Sequence, residues 1–264
     1  MTPQVYTPNQ EAIQRERTRL IVRAGQLLHS HGAETRLIVD IVERMGRSCG
    51  LDEVDISISA RAMIVTTIMQ EHCITTARRC PDLGINMRVV TDVQRICILL
   101  EKGITDTRQA KEKLNQIKPQ HYPANLVVLM VGLSCASFSR LAGAGWEIFA
   151  ITFIAASCAM WVRQQLGKRH FNPMLNFSCT AFIATLISSQ AVIYQIGNQP
   201  FLAMASSVLL LVPGFPLINS VADLIKGHTN MGIARFVFAS MLSFATCLGI
   251  LLAMSITNTW GWLN

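Results

Sequence analysis

Hydrophobic positions recur along this chain in two rhythms before polar positions almost disappear. From Gln10 to Ser30 the apolar residues Ile13, Leu20, Ile21, Ala24, Leu27 and Leu28 fall at helical spacing, and Gly32 is placed to end that helix. A second helix is predicted over 33–47, with Leu37, Ile38, Ile41, Val42 and Met45 on one face. The period then shortens to two. Residues 54–59 alternate strictly, 64–69 are rich in β-branched side chains, and 73–77 follow a polar turn. This predicts a three-stranded antiparallel meander. Helices over 87–101 and 105–117 complete an ααβββαα order, an α+β arrangement. Residues 1–9 read as disordered.

Past Pro123 the pattern becomes nearly continuous. Apolar runs at about 124–140, 146–163, 175–195, 201–225 and 233–256 reach the roughly 17–25 residues that a membrane-spanning helix needs. Charge sharpens the division. Residues 1–122 hold 17 of the 23 Lys and Arg and 14 of the 16 Asp and Glu. The expected fold is a small α+β cytoplasmic domain, residues 1–121, followed by an α-helical integral membrane domain, residues 122–264. That membrane domain has five transmembrane helices, one of them broken at Pro213–Pro216.

The net charge of +7 is explained by topology, because no basic block with interleaved aromatics of the nucleic-acid type is present. Arg163, Lys168 and Arg169 follow the second apolar run, and Lys226 and Arg235 lie between the fourth and fifth. The loop 197–200 has no charge, and Arg140 is offset by Glu147. The basic loops share the N-terminal side, which predicts a cytoplasmic N-terminus and an outer C-terminus anchored by Trp260 and Trp262. Residues 1–19 are polar, so no signal peptide is read there. Eight cysteines without a CxxC are expected to be free thiols. No metal site and no cofactor is predicted, and the absence of GxSxG, P-loop and Rossmann signatures argues against transport driven by nucleotide hydrolysis.

Candidate chemistry concentrates in the fourth run. Pro213, Gly214 and Pro216 interrupt it near its middle, where water cannot satisfy freed backbone groups. A half-helix starting near Pro216 would offer N–H groups and a partial positive charge to an anion such as a carboxylate. Asn219 lies one turn on, and Asp223 shares its face at i+4. One reading makes these residues the lining of a substrate path. The other makes them a proline kink, with Asp223 at the inner interface paired to Lys226 or Arg235. In the N-terminal part, His29-Ser-His-Gly-Ala-Glu-Thr35 places His31, Gly32 and Glu34 at an interhelix turn, a possible metal or acid–base set. The same residues also read as a glycine-terminated helix followed by one whose first-turn Glu34 suits its dipole.

Pro213-Gly214, Leu217, Asn219, Asp223, Gly227, Gly232, Ala234 and Arg235, with Gly32-Ala-Glu-Thr35 and Gly84-Ile-Asn86, resemble the pattern of the threonine/serine exporter (ThrE) superfamily in its split, two-component form. The resemblance covers essentially the whole chain past about residue 10. It implies a subunit of a bacterial inner-membrane secondary exporter of small carboxylated metabolites, a dicarboxylate such as succinate, rather than an enzyme. It also implies a partner, a smaller YjjB-type membrane subunit, since five spans are an odd half and an inversely inserted complement would make an inverted repeat. Arg235 would then steady Asp223 or the inner gate. Other readings are a threonine/serine exporter, a scaffold subunit, and a membrane-bound hydrolase built on His29, His31 and Glu34.

Overall fold

The computed structural model describes residues 7–260, so residues 1–6 of the segment read as disordered, and Trp262, lie outside it. Two compact units emerge. One holds the chain up to Gln120 together with Ile218–Arg235; the other holds His121–Leu217 and the chain from Phe236 onward.

In the first unit, helix α1 spans Pro8–Ser30 and α2 spans Thr35–Ser48. Pro8 and Asn9 are helical rather than disordered. The start is fixed by Pro8 in the first turn and by Thr7, whose N–H donates to Gln10 Oε1 at 2.9 Å. Strands β1 (Glu53–Ser59), β2 (Ala62–Met69) and β3 (His72–Arg79) form an antiparallel sheet in the order β1-β2-β3. Glu53 sits opposite Ile68, and Ala62 opposite Arg79. Along β2 the alternate residues Met63, Val65, Thr67 and Met69 are buried, as a half-covered strand requires. They share a core with Ile21 and Leu28 of α1 and Ile38 and Met45 of α2. Helices α3 (Met87–Glu101) and α4 (Thr107–Gln116) add Val93, Cys97 and Leu114 to it. Gln14 ties α1 to the sheet by donating to the Thr67 and His72 carbonyls, each at 3.0 Å.

The second unit is helical. It contains α5 (Ala124–Leu141), α6 (Trp146–Lys168), α7 (Pro173–Ile193) and α8 (Phe201–Ser207), then a 3-10 turn over Leu209–Leu211. The first residues of α9 (Gly214–Ile225) and most of α10 (Thr229–Thr257) belong to it as well. Small residues bring its helices close. A Cβ on Gly132 would stand 2.1 Å from Ser157 Oγ, and one on Gly249 would stand 2.2 Å from the Ser178 carbonyl oxygen. Helices α5, α6, α7 and α10 are long and apolar enough to cross a membrane. Phe201–Leu211 with Gly214–Ile225 makes a fifth if the pair, bent by 58°, is one span.

Candidate functional site

The break between α8 and α9 is local chemistry. Pro213 and Pro216 have no N–H to give. Around them, the Val212 N–H donates to the Leu209 carbonyl at 3.2 Å and the Gly214 N–H to the Val212 carbonyl at 2.8 Å. The Leu217 N–H then reaches the Pro213 carbonyl at 3.2 Å. Helix α9 therefore begins at Gly214, two residues before Pro216, and much of its first turn is already hydrogen-bonded. A Cβ on Gly214 would meet nothing within 4 Å, whereas Pro213 beside it is buried.

Further along α9 the first unit acquires its most polar centre. Asp223 has no exposed surface, and an ionised carboxylate in that position costs several kcal/mol unless it is paired and hydrogen-bonded. Three donors meet it. The Thr35 N–H reaches Oδ1 at 3.1 Å, the Thr35 hydroxyl reaches Oδ2 at 2.9 Å, and Arg235 Nη1 reaches Oδ2 at 2.7 Å. Thr35 opens α2, so the carboxylate also lies at the positive end of that helix. In effect Asp223 caps α2 from 188 residues away. The other Arg235 nitrogen donates to the Ala33 carbonyl at 2.8 Å, and Asn219 Nδ2 donates to the Gly32 carbonyl at 3.1 Å. Lys226 pairs with Glu34, and the Ser220 hydroxyl donates to the Gly232 carbonyl at 2.8 Å, joining α9 to α10. Two acids and two bases balance here.

Beside this centre lies a cleft of about 490 Å³. Thr35 borders it, with Ile56 and Ser57 of β1 and His228, Thr229 and Asn230 of the turn between α9 and α10. Val39, Ile58 and Met231 make the rest of its lining largely apolar, and its volume suits a small metabolite.

The residues singled out from sequence fall into three sets. Gly32, Glu34, Asn219, Asp223 and Arg235 come together in the first unit through the bonds just given. Pro213, Gly214 and Pro216 form the bend. The histidines go elsewhere: His29 Nε2 is 2.9 Å from the Ser59 carbonyl, and His31 Nδ1 is 2.8 Å from the Leu27 carbonyl. Burial pushes the His29 imidazole below its ordinary range, partly offset by that bond to Ser59. His29, His31 and Glu34 thus have separate partners and no common centre. Glu34 also precedes α2 instead of sitting in its first turn, and its charge is taken by Lys226 rather than by the helix end. Thr35 is absent from the sequence-predicted set although it adjoins Glu34. A helix cap contributed from so far along the chain leaves no local signature.

Residues 19–257 match the family described as "Putative threonine/serine exporter". The chain belongs to this family. It is a multi-pass membrane protein. It is 49% identical over 251 residues to the Escherichia coli (strain K12) protein named "Probable succinate transporter subunit YjjP", covering 95% of this chain and 98% of that one. A protein of the same name from Klebsiella aerogenes is 47% identical over 94% of this chain and 97% of its own length. The "Threonine/serine exporter" of Corynebacterium glutamicum is 24% identical over 82% of this chain but only 46% of its own length, so the similarity occupies half of that longer protein. No solved structure matches the chain.

Proposed function

We propose that the chain is one subunit of a two-component secondary exporter of small carboxylated metabolites, most specifically a dicarboxylate such as succinate. It would act in the bacterial inner membrane with a smaller YjjB-type subunit, its N-terminus cytoplasmic and its C-terminus periplasmic. The observation that carries this reading is the near full-length identity with relatives named as succinate transporter subunits. The basic residues Lys168, Arg169 and Lys226, between helices that would cross the membrane, support the orientation. The bent pair α8 and α9 would be the fifth span, interrupted as transporter helices are where they line a path.

In this reading Pro213, Gly214 and Pro216 keep the path open at the bend, where Gly214 leaves space for a solute carboxylate. Asn219, Asp223 and Arg235 hold the following segment to the turn before α2 and act as the inner gate. Asp223 is saturated by Thr35 and Arg235 in the closed arrangement, so substrate reaches Arg235 only when that ion pair opens. Succinate efflux from cells expressing the chain with its partner subunit tests this. Asp223→Asn and Asn219→Ala are expected to lower efflux about tenfold or more at equal membrane abundance; unchanged efflux removes both residues from the gate. A second reading, export of threonine and serine, is favoured by the description of the family itself. Competition by threonine, but not by succinate, would select it.

A further inference from the structure

Away from the gate, α1, β3 and α4 enclose a second cleft of about 220 Å³. Its floor includes the buried Leu20 and Leu114, and its walls carry Arg19 and Arg23 from α1, Arg78 from β3 and Lys111 from α4. Arg19 and Arg23 are four residues apart on one helix face, an arrangement in which like charges repel. Neither they nor Arg78 has an ion-pair partner among the described residues. Lys111 is paired with Glu16 at 2.9 Å. Four cations from three elements therefore line one concavity, and no acid is among its lining residues.

We propose that this cleft binds a small dianion, either two carboxylates or a phosphate. Guanidinium forks match both groups in a bidentate manner, and cations contributed by three elements suit a ligand charged at more than one point. The volume falls below the roughly 300–1,000 Å³ of drug-sized ligand sites, which selects a small metabolite or inorganic ion over a nucleotide. Bound there, the anion would relieve the repulsion between Arg19 and Arg23 and clamp α4 to α1 and β3. This site stands apart from the exporter reading, since it is measured by binding and not by efflux.

The test is calorimetric titration of the full chain in zwitterionic lipid nanodiscs with succinate and, separately, with inorganic phosphate. At least one of them is expected to bind one per chain. Arg23→Ala and Arg78→Ala, both exposed and without ion-pair partners, should each weaken it about tenfold or more. Arg95→Ala, an exposed arginine outside the cleft, should leave it unchanged. Glu16→Gln frees Lys111 and should tighten it, an effect that mere support of the fold would not produce. Binding unaffected by Arg23→Ala and Arg78→Ala would place the anion elsewhere and overturn the assignment while leaving the exporter reading intact. Absence of binding by both anions would overturn it too, as would an effect of these substitutions only on association with anionic vesicles, the mark of a lipid-facing patch.

Discussion

Asp223 and Arg235 are worth more as partners than either is alone. With Asp223 fully buried and the Arg235 side chain only 13% exposed, Arg235→Gln leaves a carboxylate without its counter-charge. Such losses typically cost about 3–5 kcal/mol. Pairing Arg235→Gln with Asp223→Asn should recover part of that, because no buried charge is then stranded. Thermal unfolding of the purified protein in detergent measures both, and a double variant as unstable as Arg235→Gln would contradict the assignment. Thr35→Val keeps the N–H but deletes the hydroxyl, and is expected to cost about 1.5–3 kcal/mol, as a hydrogen bond to a charged group does. His29 sets a different dependence. Its folded pKa is depressed by burial, so below about pH 6.5 the unfolded chain takes up a proton that the folded chain resists. Stability should therefore fall as pH drops through 6.5 and level off below the folded value. His29→Gln, which can still donate to the Ser59 carbonyl, should flatten that part of a melting-temperature profile.

At the scale of elements, the two glycines at close and open positions predict opposite outcomes. Gly249→Val forces a side chain against the Ser178 carbonyl and should destabilise the helical unit by about 1–3 kcal/mol or more. Gly214→Ala meets open space, and its effect on melting should stay within about 0.5 kcal/mol. The elements themselves were largely legible. Alternation over 54–59 locates β1, and α3 has the ends, Met87 and Glu101, that the pattern predicts. Periodicity records which side chains turn inward, and that is a local property. The start of α2 was less legible, because its cap is Asp223, far along the chain, and not a neighbouring side chain. Likewise Asn219, Asp223 and Arg235 could be nominated from cost alone, as polar groups in apolar runs. Their attachment to Gly32, Ala33 and Thr35 depends on tertiary folding that no spacing encodes.

For the molecule as a whole, the thiols offer a test of orientation. Burial pushes Cys49, Cys80 and Cys97 up to about 11, which keeps them protonated and slow to react near neutral pH. Cys73 is exposed on the sheet, whereas the exposed Cys158, Cys179 and Cys247 lie on helices long and apolar enough to span a bilayer. A charged maleimide is therefore expected to modify Cys73 in inside-out vesicles and to spare it in intact spheroplasts. The reverse pattern would put the N-terminal unit outside the cell. The membership of Ile218–Arg235 in that unit bears on how the protein is made. Thr35 leaves the ribosome 188 residues ahead of Asp223, so the nascent α+β body emerges without its last piece. Until Asp223 and Arg235 have emerged from the ribosome, the Thr35 amide and the Ala33 carbonyl lack the partners they have in the folded chain, and the Gly32–Thr35 turn should stay open to protease. Ribosome-stalled chains of increasing length would then gain protection at that turn abruptly, long after the sheet has formed.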